Sequence, residues 1–360
     1  MEKKVGVGFI GTGFARKVQM PAFAGCEGAE LVSVASGSEE NARSAAAEFG
    51  IGHCTSDWRE TIARDDVDLV CITTPPSLHK EMTLAAFEHG KHVLCEKPMA
   101  MNVAEAEEMV SAAKGKGLLA LIDFELRFQP GRQIAREMIR RGEIGLIRHV
   151  KWNFRAPHRG NPEIPWNWWS DAEQGGGALG AINSHVIDSF NWFLDTEVSS
   201  VFCQLQSHVK QRPSANGFRD VTTDDEANML LRFADSEFCS DATGLVSVSM
   251  VEGPDYISTI EIFGTDGALM IDHVGALFTA SNGKNAWEPV KAAIGETVPG
   301  YPDTGFPRGF MELAPRIVEA IRDGRDSIEF AATFDDGLKV QRVQDAARES
   351  DRNGCTVKLA

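Results

Sequence analysis

Two stretches of the sequence carry side chains whose types and spacing suit chemistry. In "VLCEKPMA", Val93–Cys95 reads as a buried strand that runs straight into Glu96 and Lys97 and stops at Pro98. A charged pair at the carboxyl end of an apolar strand is either a solvated loop or a pair placed where parallel sheets present their ligands. An ammonium there could polarise a substrate oxygen and act on a neighbouring acid–base group. In "GFIGTGFAR", a turn made of Gly11, Thr12, Gly13, Phe14 and Ala15 follows a short apolar strand and opens a helix. Gly11 allows the tight turn, and Gly13 lets the backbone approach a dinucleotide pyrophosphate at the helix N-terminus. The third glycine of that pattern is absent, and Arg16 stands in its place.

The group that reads the adenosine ribose belongs at the end of the second strand, about 20 residues on. That end reads "VASGSEENAR". Ser36 and Ser38 stand where an acidic residue would favour NAD, with Arg43 downstream, so the tip leans towards NADP over NAD. Glu39 and Glu40 follow closely and pull the other way.

These groups need elements to hold them. Val5–Ile10, Leu31–Ala35, Leu69–Thr73, Val93–Cys95 and Leu118–Phe124 read as strands, alternating with segments of helical composition such as "SEENARSAAAEFG" and "SLHKEMTLAAFEHG". Asn102 with Glu105 makes a capping-box start for another helix. This alternation predicts an α/β Rossmann domain over residues 1–124, a parallel sheet with helices on both faces. From about residue 146 the texture changes to longer, partly alternating strands, with a hairpin turn at "GTDGA". One helix over 178–194 interrupts them, and helices return at about 309–323 and 334–350. Residues 125–360 are therefore expected to form an α+β domain, a large, mostly antiparallel sheet covered by helices.

Composition narrows the function classes. The chain has 360 residues, 43% of them hydrophobic and 24% charged, with a formal net charge of −16. That charge argues against nucleic acid or an anionic membrane surface as partner, though not against an anionic small ligand. No apolar run approaches the roughly 20 residues that span a bilayer, and the N-terminus does not read as a signal peptide. Seven cysteines are scattered without CxxC pairs, and Cys71 and Cys95 sit in apolar runs as buried thiols. A reduced, cytoplasmic protein with no metal site is expected.

"GFIGTGFAR", "CITTPPSLHKEMTLAAFEHGKHVLCEKPMA", "ELRFQP" and "GGGALGAINSHVIDSFNWFLD" occur in this order, and together they resemble the Gfo/Idh/MocA family of NAD(P)-dependent oxidoreductases. The resemblance extends over both domains. It implies an open-faced second sheet whose far side makes an oligomer interface, hence a homodimer or homotetramer. It also implies a sugar, polyol or related cyclic substrate. By this resemblance Lys97 contacts cofactor and substrate beside Glu96, and Thr73, Thr74, Pro75 and His79 line the cofactor's ribose and diphosphate. Arg127 and Trp168 match positions near the nicotinamide half. The plainer alternatives are a structural His79 and packing roles for Arg127 and Trp168.

The resemblance also places the chemistry on the helix after Gly175–Gly177. The family pattern there is an aspartate, a histidine four residues on, and an aspartate three beyond, all on one helix face. His185 and Asp188 fit it; Ala181 replaces the first aspartate, and Asn183 stands where glycine is common. Moving a hydride from an alcohol carbon also requires the hydroxyl proton to leave, a task suited to imidazole. His185 is thus the expected acid–base group and Lys97 the electrophile, with Asn183 and Asp188 at the substrate. Bland alternatives are a satisfied core histidine and a buried Asp188 bonded to backbone. Arg155, His158 and Arg159 in "RAPHRGNPEIPWNWWSD" could hold an acidic substrate or clamp a loop. Two further readings stay open: a lyase or glycosidase with transient oxidation, and a non-catalytic nucleotide-binding regulator.

Overall fold

The computed structural model describes residues 4–359, which divide into two compact units. The first comprises residues up to Gln129 together with Gly295–Leu338. Its sheet is six-stranded and wholly parallel, in the order β3-β2-β1-β4-β5-β6. The strands are β1 (Val5–Ile10), β2 (Ala29–Ala35), β3 (His53–Thr55), β4 (Leu69–Ile72), β5 (His92–Cys95) and β6 (Ala120–Ile122). β1 and β4 are buried throughout, as strands with helices on both faces must be. The strand order reverses between β1 and β4, and the crevice at their carboxyl ends is the ligand position of this topology. At the expected Asn102 cap, Asn102 Oδ1 accepts from Glu105 N at 3.0 Å, while Glu105 Oε2 reaches one residue past the cap and accepts from Met101 N at 3.2 Å.

The structure divides the chain differently from the expected 1–124 and 125–360. Residues 295–338 return to the first unit, because the helix Gly305–Arg322 buries Phe310, Leu313, Ala314, Ile317 and Val318 in the same core as Phe9 and Phe23. Phe23 packs edge-on against Phe9 (centroids 6.2 Å apart) and against Phe310 (5.7 Å). A periodic apolar face marks a helix but does not say which core it joins.

The second unit comprises Pro130–Ile294 and Lys339 onward. Its main strands are β7 (Ile147–Arg155), β8 (Val198–Gln206), β11 (Glu226–Phe233), β12 (Cys239–Ser249), β13 (Ile257–Gly264), β14 (Gly267–Ile271) and β15 (Leu277–Ser281), with β9 (Gln211–Ser214) and β10 (Gly217–Asp220) as a separate hairpin. The nine-stranded sheet is completed by β16 (Glu288–Pro289) and β17 (Val357–Lys358) at its edges, and every pairing except β7 with β12 is antiparallel. The turn at "GTDGA" joins β13 to β14, as expected.

The predicted helix over 178–194 is broken. Ala178–Ala181 and Asn183–Leu194 are separate helices, with Ile182 at φ −112° and ψ −48° between them. The second packs on the sheet through Phe190, edge-on to Trp152 of β7 and Phe233 of β11. Ser189 accepts a 3.0 Å bond from Arg132, whose guanidinium also lies over Trp152. These contacts fix the face of the helix on which His185 and Asp188 lie.

Candidate active site

In the first unit the glycine loop leaves β1 with Gly11 at φ +103°. A Cβ there would lie 2.5 Å from the Thr73 carbonyl oxygen, so only glycine fits between β1 and the end of β4. Thr73 Oγ1 donates to the Ile10 carbonyl at 3.1 Å and locks the two strand ends together. At Gly13 an added Cβ would meet nothing within 4 Å. Residues Ala15–Gln19 continue as a π-helical turn before the helix Met20–Ala24, with Ala15 and Gln19 fully buried. Thr12 Oγ1 and Ser36 Oγ lie 3.5 Å apart, joining the tips of β1 and β2. A constrained Gly11 beside an open Gly13 backbone, under a tip without a carboxylate, fits a dinucleotide.

Several expected cofactor contacts are otherwise engaged. Ser38 Oγ caps the helix Glu39–Phe49 by accepting from Asn41 N. Arg43 pairs with Glu39 at 2.5 Å, and Arg16 with Glu48 at 2.5 Å. His79 is fully buried, its Nδ1 3.0 Å from the Pro98 carbonyl and its Nε2 2.9 Å from the Thr74 carbonyl. Burial holds the imidazole below its ordinary range, so the neutral ring donates to one of them. His79 thus braces the Thr74–Pro75 and Lys97–Pro98 segments, the structural alternative to a cofactor contact. Arg127 is also buried and pairs with Asp336 at 3.4 Å. Against a burial that would raise it, Arg127 holds the Asp336 carboxyl below the usual carboxylate range.

At the end of β5, Glu96 N bonds to the Ile72 carbonyl and carries the strand one residue further. Lys97 is partly exposed, and its Nζ lies 4.0 Å from Glu96 Oε2. This is not a surface ion pair: Glu96 is 7% exposed. Gln19 Nε2 donates to Glu96 Oε1 at 3.1 Å and to Asp123 Oδ2 at 2.8 Å. Burial pushes both carboxyls up; the Lys97 ammonium pulls Glu96 back, whereas Glu125 and Glu96 push Asp123 further. Sequence reasoning missed Gln19 and Asp123. A carboxylate following the apolar run of β6, one strand over from Glu96, was the available signal.

In the second unit, Asp224 organises the glycine run. Its Oδ2 accepts from Leu179 N at 2.7 Å and its carbonyl from Ala178 N at 3.0 Å. Gly177 has φ +108°, and a Cβ on it would lie 2.4 Å from Asp224 Oδ1. Burial pushes the Asp224 carboxyl up to about 6 despite these amides. Trp168 starts the short turn Trp168–Ser170, whose Trp169 carbonyl accepts from Thr223 Oγ1 at 3.1 Å. His185 and Asp188 are both buried on Asn183–Leu194. Asn183 is fully buried, and neither its Oδ1 nor its Nδ2 has a hydrogen-bond partner among the described residues. Arg212 donates to the Arg159 and Asn161 carbonyls and clamps that loop.

The comparisons with known proteins agree with this geometry. A profile described as an oxidoreductase family with an NAD-binding Rossmann fold matches residues 5–124, and a GFO/IDH/MocA C-terminal domain profile matches 133–270. The chain belongs to the Gfo/Idh/MocA family. It is 30% identical over 384 residues to a levoglucosan dehydrogenase of Pseudarthrobacter phenanthrenivorans, covering 97% of this chain and 96% of that one. The solved complex of a levoglucosan dehydrogenase with NADH and levoglucosan superposes with a TM-score of 0.87 at 30% identity, over 99% of this chain and all of that one. An oxidoreductase domain protein from Kribbella flavida gives a TM-score of 0.87 at 30% identity over the same shares. The protein is thus an oxidoreductase that uses a nicotinamide cofactor.

Proposed function

We propose that this member of the Gfo/Idh/MocA family is a dehydrogenase of a sugar, polyol or related cyclic compound, with Lys97 polarising the substrate oxygen and His185 moving its proton. The observation that carries this reading is that Lys97 and His185 stand at the positions the family resemblance implies, in a chain similar over its whole length to a levoglucosan dehydrogenase. The nicotinamide, when bound, accepts or returns the hydride. Asn183, with a buried amide that has no hydrogen-bond partner among the described residues, is assigned to a substrate hydroxyl. Asp188 is assigned to the same substrate, and Trp168 to the nicotinamide half of the cofactor. NAD is proposed over NADP, because both cations near the β2 tip, Arg16 and Arg43, already pair with carboxylates. The free thiols, four of seven buried, support a reducing compartment, the cytoplasm.

The test is a fluorescence titration with NADH and NADPH, followed by a screen of sugars and polyols for absorbance change. NADH is expected to bind more tightly, and binding of neither nucleotide would overturn the assignment. Gly13→Val should keep the melting temperature, since its side chain meets open space, yet weaken NADH by roughly tenfold or more (about 1.4 kcal/mol). Unchanged affinity in this variant would remove Gly13 from the cofactor site.

A second copy of the chain is the proposed partner. Across the open face of the sheet the register aligns Phe202, Leu230, Leu245, Lys151, Glu261, Met270 and Phe278 in one row. Leu230 is 56% exposed and Leu245 42%. Apolar residues flank a central Lys151–Glu261 pair, so a two-fold axis would set like on like and Lys151 on Glu261. Leu230→Glu is expected to give folded monomers in light scattering, and an unchanged mass would move the interface elsewhere.

A further inference from the structure

We propose that Asp123 is a positioning residue for Lys97, because Asp123 and Glu96 hold one proton between them and so present Lys97 with one carboxylate charge rather than two. The functional half of this statement rests on Lys97 acting as the electrophile; the proton count does not.

The geometry begins with register. Cys95 of β5 pairs with Ile122 of β6, and Asp123 N donates to the Cys95 carbonyl at 2.8 Å, so Glu96 and Asp123 leave adjacent parallel strands side by side. Both carboxyls accept from the same nitrogen, Gln19 Nε2, at 3.1 and 2.8 Å. Gln19 and Asp123 are fully buried. Asp123 Oδ1 and Gln19 Oε1 accept no hydrogen bond from any described residue. A buried carboxylate oxygen that accepts nothing is costly, and a cluster with more acceptors than donors lacks a donor. A proton on Asp123 supplies it.

Charge leads to the same count. Around Asp123 stand Glu96 beyond β5, Glu125 on the turn after β6 and the thiols Cys71 and Cys95, and the Tyr301 hydroxyl faces Glu125 and Glu96. The ammonium beside them, that of Lys97, lies 4.0 Å from Glu96 Oε2, and the Lys97 backbone N–H donates to the same oxygen at 3.3 Å. Carboxylates crowded out of water beside each other do not all ionise, and the one nearest the cation keeps its charge. That one is Glu96, and Asp123 keeps the proton. Lys97 is then held by one shared charge and stays able to turn its ammonium towards a substrate oxygen. Loss of the proton adds a second charge and draws Lys97 back.

The experiment is infrared spectroscopy of the apoprotein across pH, with wild type and Asp123→Asn. The wild type should show the carbonyl stretch of a buried protonated carboxylic acid at neutral pH, and Asp123→Asn should lack it. No such band in the wild type, or a band retained in the variant, would overturn the proposal. Stability gives a second readout that needs no variant. A carboxyl that holds its proton more tightly folded than unfolded contributes stability below its unfolded pKa and loses it as pH rises towards the folded one. The unfolding free energy of the wild type should therefore fall from mildly acid to alkaline pH, and Asp123→Asn should flatten that fall. In turnover, kcat/KM of the wild type should drop by roughly tenfold where the band is lost, the effect of about one pK unit of coupling, while Asp123→Asn holds its plateau. Lys97→Met separates the two readings: if it turns over like wild type while the band persists, the electrophile role falls and the proton pair stands.

Discussion

Lys97→Met is expected to lower kcat by about 10²–10³-fold, with NADH affinity held within about threefold, the loss typical of removing one group that meets developing charge. The substitution keeps the length and apolar stem of the side chain and removes only the ammonium. Packing at the end of β5 should survive it, since Glu96 remains held by Gln19 and the strand by the Ile72 carbonyl. Removing the cation beside Glu96 exposes a buried carboxylate without its ion pair, so some loss of stability belongs to the expected result. Melting temperature and single-turnover hydride transfer, measured together, separate the two effects. A variant with wild-type kcat would end the electrophile role; one with unchanged kcat and raised KM would reduce Lys97 to a binding group.

His185→Asn should cost about 10²–10⁴-fold in kcat/KM for alcohol oxidation, the range for losing a positioned acid–base group. The sign of the pH effect is specific. A base must be unprotonated to take the hydroxyl proton, so wild-type oxidation should fall on the acid side and reduction on the alkaline side. His185→Asn should abolish that opposition and leave two nearly flat profiles. Persistence of the acid limb would assign it to another group, and the chemistry would have to be sought away from His185. Because Ala181 leaves the helix without the family's first aspartate, Asn183 is the side chain to vary next. It precedes His185 by half a turn, and its amide has no hydrogen-bond partner among the described residues.

Much of this was legible in the residues themselves. The strand–glycine–helix pattern located the Rossmann sheet, and the placement of charge after an apolar strand singled out Glu96 and Lys97. Gln19 was not legible, because it meets Glu96 and Asp123 from 77 and 104 positions away in the chain. At His79 the sequence left a cofactor contact and a structural role both open, and two backbone carbonyls face the ring. The break at Ile182 also escaped notice. "GALGAINSH" carries no proline, and the backbone departs from the helix at Ile182 with no proline or glycine at the break.

The first unit is discontinuous in sequence, and this has a bearing on how the polypeptide emerges from the ribosome. Phe9 and Phe23 leave the exit tunnel long before Phe310, Leu313 and Ile317, their partners in the same core. At about 5–20 residues per second, the interval from Gln129 to the end of the helix Gly305–Arg322 lasts roughly 10–40 s. For that time the nascent nucleotide-binding sheet has an apolar flank open to chaperones and to neighbouring nascent chains. The intervening segment, carrying most of the second unit, can condense first, so folding need not follow the order of translation.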